Sequence, residues 1–89
     1  MKRYAVMIGA ASHPGLEEKT EYRFFEFDEN AVVGKHIGNY IPDVDRFFFS
    51  IGEGLKHFDL DPSAMVNVLD SSGKPYIPPM WYADVKAQP

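Results

Sequence analysis

Three histidines, His13, His36 and His57, and thirteen Asp and Glu residues carry the acid and base chemistry of this 89-residue chain, which has no Cys. Imidazole titrates near neutrality and can shuttle a proton or ligate a metal, but such work requires paired groups that converge on one pocket. The three histidines are dispersed along the chain, and none stands in a recognised catalytic motif. Ser12 and His13 are neighbours, a spacing at which their side chains do not naturally meet, and the strand-to-helix elbow of an esterase nucleophile is absent. Gly9 and Gly15 frame the same loop, with Leu16 where a phosphate-cradling loop needs Lys. The loop therefore reads as a connector between strands, and no catalytic residue is assigned.

One stretch has the spacing of oxygen ligands. Asp59, Asp61, Ser63, Asn67 and Asp70 fall in the register of a calcium-binding loop, but Ala64 replaces the Gly of the sharp turn. Asp70 is also shorter than the usual bidentate Glu, and Ser71, Ser72 and Gly73 follow where a helix would begin. His57 with Asp59 and Asp61 could form a shallower divalent site, yet Asp and Pro at a helix end are ordinary turn residues. No metal and no cofactor are expected.

The stronger signal is for binding. Tyr76, Met80, Trp81 and Tyr82 lie among Pro75, Pro78 and Pro79, and Trp and Tyr often dominate interface energetics. Glu17, Glu18, Glu21, Asp59 and Asp61 supply a dispersed acidic surface able to occupy a basic groove.

The elements that must position these residues follow from periodicity. Tyr4, Val6 and Ile8 alternate with Ala5 and Met7, which predicts a strand apolar on both faces and placed inside a sheet. Thr20 to Phe27 predicts a second strand, antiparallel to the first. Asp28 is a candidate N-cap for a helix through Ala31, Val32, Val33, Ile37, Tyr40 and Ile41, closed by Pro42, with Gly34 and Gly38 as a smooth stripe. Val44, Phe47, Phe48, Ile51, Leu55 and Phe58 recur at helical spacing behind Asp43, predicting an amphipathic helix over 44–58 that supplies much of the core. Gly52 and Gly54 weaken that helix and keep open a short strand over 47–51. Ala64 to Asp70 reads as a third strand and Ser71 to Lys74 as a turn with Gly73 at positive φ. The prolines of 75–85 confine that segment to a sheet edge, placing Trp81 there, and 87–89 reads as a frayed tail.

Together these predict one α+β domain over 1–89: a small antiparallel sheet of three to four strands, in the chain order β-β-α-α-β-β, with helices on one face. The formal charge of −4 and the lack of clustered Lys and Arg argue against direct nucleic-acid binding. No stretch is apolar for the ~20 residues that cross a bilayer, so no membrane association is expected. The absence of Cys fits a reducing, cytoplasmic setting. The expected function is a non-enzymatic, acidic interaction or inhibitor module that binds and masks a surface of another macromolecule, the expected partner being another protein, with a homodimer through an edge strand as a further expectation. The alternative is a small ligand-binding or hydrolytic domain using His and carboxylate groups.

Overall fold

The computed structural model describes residues 2–11, 18–27 and 34–88. Among these residues, five strands and two helices follow in the order β1 (Arg3–Ala11), β2 (Lys19–Phe27), β3 (Lys35–Tyr40), α1 (Phe47–His57), β4 (Met65–Leu69), β5 (Met80–Trp81) and α2 (Tyr82–Ala87). The strands form one sheet in the order β3-β2-β1-β4-β5. The doubly apolar β1 lies at its centre, as its alternation predicts, and pairs antiparallel with β2 from Arg3↔Phe27 to Ala11↔Lys19.

The sheet is mixed rather than antiparallel, because β1 pairs parallel with β4 from Arg3↔Met65 to Met7↔Leu69. A parallel neighbour requires a crossover of a dozen or more residues, and the 41–64 segment with α1 supplies it. A single helix between the hairpins is what turns the chain back in the same direction.

The helix expected over 31–41 is corrected. Residues 28–33, with the Asp28 cap, lie outside the described residues, and Lys35–Tyr40 is an edge strand paired with β2. Two glycines at about 1 kcal/mol each penalise a helix here, whereas the ladder satisfies the backbone. A Cβ on Gly38 would stand 2.5 Å from the Phe58 ring, so the bare strand is what lets that ring sit down on it. A register shift at Phe24/Phe25 bends this edge, and bulges and Lys are devices that discourage strand addition.

The helix expected over 44–58 forms, but three residues later at its start. Asp43 is not its cap: the chain bends at Asp43 and Val44, and the extended Arg46 precedes the first turn, its N–H donating to the buried Ser50 hydroxyl at 3.0 Å. Asp45 is held instead by the phenol of Tyr22, which donates to its Oδ1. Of the expected apolar stripe, Ile51 and Leu55 are fully buried, Phe47, Phe48 and Phe58 are half-buried, and Val44 is exposed. The fully buried phenylalanine is Phe24 of β2, with Tyr22 beside it on the same face.

Val6, Tyr22, Phe24, Val66 and Val68 from the sheet meet Ile51 and Leu55 of α1 and Tyr82 and Val85 of α2 in one cluster. Both helices therefore cover the same face. The α2 helix replaces the extended edge expected over 82–85, because Tyr82 and Val85, three apart, bury together against α1. Ala87 belongs to that helix rather than to a tail.

Candidate functional site

The four residues of the expected aromatic patch do not share a surface. Tyr82 is only 8% exposed and belongs to the core, where burial raises its phenol pKa. Met80 packs half-buried against that same core. Trp81 is exposed and pairs with Met65 across β4, so it points to the face of the sheet that the helices leave bare. Tyr76 is exposed on the helix side, its ring 5.4 Å from that of Phe47. The period-two alternation of an edge strand separates neighbours in sequence onto opposite faces.

The acidic residues are also divided. Glu17 lies outside the described residues, and Glu18 is exposed just before β2. Glu21 accepts from Arg23 Nε at 2.7 Å. Asp59 and Asp61 lie at the other end of β1, where Asp61 N–H donates to the Tyr4 hydroxyl. Asp59 ends α1 in a left-handed conformation at φ 52°, with its N–H bonded to Lys56 O and Leu60 N–H to Leu55 O. These two bonds are a helix-terminating Schellman pair. The Asp61 carboxylate accepts from the N–H and the hydroxyl of Ser63, which holds its pKa below the usual carboxylate range. Both aspartates thus shape a chain reversal. Among the described residues no group of three or more His, Asp or Glu could hold a metal ion.

Nor do the histidines converge. His13 lies outside the described residues, His36 contacts Asn39 and the Phe25 ring, and His57 packs against Tyr40 and Phe58.

A site the sequence reading missed opens beyond the carboxyl ends of the parallel pair β1 and β4. A cavity of about 290 Å³ is lined by Ile8 of β1, Thr20 and Tyr22 of β2, Asp45 and Phe47 at the start of α1, and Asp70, Ser71 and Tyr76 after β4. The ends of parallel strands are a common place for ligands, since loops diverge there and leave a crevice. Its carboxylates are held by neutral donors. The Asp70 Oδ1 accepts from Ser72 N–H, the Ser72 hydroxyl and Lys74 N–H, and these bonds depress its pKa. Tyr22 donates to Asp45, and burial followed by that carboxylate raises the phenol well above its usual range.

A second hollow of about 230 Å³ lies on the other side of the 44–47 segment, lined by Tyr40, Pro42, Asp43, Val44, Phe49, Ser50 and Glu53. Val44 and Phe49, 70% and 55% exposed, form its apolar lip. The one available signal was Phe49 itself, which falls outside the helical stripe counted above. When the chain is compared with known proteins, no family model, no curated protein and no solved structure matches it.

Proposed function

We propose that this chain is a non-enzymatic binding module that docks a basic surface of another protein against the rim around the start of α1. One observation carries the reading. Of the four exposed large apolar side chains among the described residues, Val44, Phe49 and Tyr76 surround that helix start, and Trp81 lies elsewhere. The two hollows there are lined with Asp43, Asp45, Glu53 and Asp70 and, among the described residues, with no Lys, Arg or His. Exposed Arg46 stands at the helix start and Lys86 lines a third hollow with Phe49, so the carboxylates here are in surplus rather than alone. Apolar anchors amid a surplus of one charge sign favour a partner of the opposite sign, the anchors supplying affinity and the charges orientation and on-rate.

The test is selection of a random displayed-peptide library on the folded protein, followed by binding to a Val44→Ser, Phe49→Ser double variant. Enriched peptides should carry Arg or Lys beside aromatic or aliphatic residues, and the double variant should lose them while keeping its melting temperature, because both side chains are exposed. Enrichment of acidic peptides, or equal capture by the double variant, refutes the assignment.

A further inference from the structure

We propose that the 290 Å³ cavity between β1, β2, α1 and the turn after β4 is a guanidinium site that receives an arginine side chain of the partner protein. The proposal deepens the docking reading above and rests on it for the source of the arginine, though not for the chemistry of the cavity.

Asp45 and Asp70 come from distant parts of the chain, yet both line one cavity, and among the described residues neither is in an ion pair. The hydrogen bonds they do make come from a phenol, a hydroxyl and backbone N–H groups, and all of them go to Oδ1. Those donors fix each carboxylate in place without cancelling its charge. Both carboxylates face solvent, Asp45 exposed and Asp70 half-buried, so what they offer a cation is a pair of pre-positioned acceptors of one charge sign whose ordering cost is already met.

The walls then discriminate among cations. Phe47, Tyr22 and Tyr76 give the cavity an aromatic lining, and the Phe47 and Tyr76 rings stand 5.4 Å apart at 48°. A planar, weakly hydrated guanidinium stacks on such rings and meets carboxylates with its fork of N–H donors, whereas an ammonium is compact and strongly hydrated. Thr20 and Ser71 add hydroxyl oxygens as acceptors for the remaining N–H groups. The volume is at or below the lower end of small-molecule pockets, room for one side chain rather than for a nucleotide or cofactor.

The experiment is an NMR titration of the folded protein with acetyl-Gly-Arg-Gly-amide, with the citrulline and lysine counterparts and free arginine as comparison arms. The arginine peptide should shift the amides of Tyr22, Asp45, Phe47, Asp70, Ser71 and Tyr76 with a Kd on the order of 1 mM, as suits a single anchored side chain. The lysine peptide should bind several-fold more weakly, and the neutral citrulline peptide should leave those amides unmoved. Asp45→Asn and Asp70→Asn each keep an acceptor for the local hydrogen bonds, so the fold should survive in both, checked by the amide spectrum, while arginine binding falls at least fivefold.

Shifts that are absent, that are the same with citrulline, or that survive both Asn variants overturn the proposal. Tighter binding of free arginine than of the peptide also overturns it, by assigning the site to a metabolite. Failure here with successful peptide selection on Val44 and Phe49 leaves the docking surface standing. The reverse outcome leaves the cavity chemistry standing and removes the partner.

Discussion

At the scale of single residues, α1 contains a matched pair of glycines with opposite requirements. A Cβ on Gly52 would come no nearer to a neighbour than 3.7 Å from Lys86 Cγ, an ordinary contact, so Gly52→Ala should add about 0.5–1 kcal/mol by helix propensity alone. A Cβ on Gly54 would overlap the ring of the fully buried Phe24, and overpacking at about 1–3 kcal/mol exceeds that propensity gain. Urea unfolding of the two variants should therefore move in opposite directions, and a shared sign would mean that Phe24 is free to move aside. Tyr22 offers a second residue-scale outcome. Its folded pKa is raised, first by burial and then by the hydrogen bond and charge of Asp45, so the unfolded chain loses the phenolic proton first. The stabilisation is complete below the unfolded value near 10 and falls as pH rises above it, by at most about 1.4 kcal/mol per pH unit for one proton. Tyr22→Phe loses the bond to Asp45, about 1–2 kcal/mol at neutral pH, but also loses this alkaline slope. The stability curves of wild type and variant should converge as pH rises from about 10 to 11, and parallel curves would show that Tyr22 does not titrate against Asp45.

At the scale of elements, the strands with strict alternation were legible. Tyr4 to Ile8 has apolar side chains on both faces because β1 is flanked on both sides, and Val66 with Val68 marks the buried face of β4. The turn at Gly73 was legible for a local reason, its φ of 87°. What periodicity could not show was pairing. Ile37 and Tyr40 suit a helix or a strand equally well over so short a segment, and the decision is made by the ladder with β2, an interaction between distant residues. The cavity was illegible for the same cause, since Asp45 and Asp70 are brought together only by the crossover that makes β4 parallel to β1. Asp59 marks an element boundary as well as carrying surface charge. Its backbone is left-handed, a conformation that costs a side-chain-bearing residue about 1 kcal/mol relative to Gly. Asp59→Gly should therefore raise the urea midpoint of unfolding by an amount equivalent to about 0.5–1 kcal/mol. A destabilised variant would show instead that the carboxylate, not the backbone, is what the position needs.

At the scale of the whole molecule, the sheet divides the surface into two unlike sides. The helices, the cavity and the exposed Val44, Phe49 and Tyr76 lie on one side. The register of β1, β2 and β4 puts Met7, Phe25, Phe27, Met65 and Leu69 on the other, all half-buried, with the exposed Arg3 and Arg23 among them and Trp81 at the β5 edge. Trp81 and the cavity are thus separated by the thickness of the sheet, and they share no lining residue. Substitutions at sites without common partners add rather than couple, usually to within about 0.5 kcal/mol. Trp81→Ala should accordingly bind the arginine peptide with a Kd within about twofold of the wild-type value. It should also unfold cooperatively, since the indole is 45% exposed on a strand of only two residues. A several-fold loss of affinity in a variant that still unfolds cooperatively would mean that the two sides communicate through β4, whose last residue Leu69 adjoins Asp70. The sheet would then transmit strain between the faces instead of insulating one from the other.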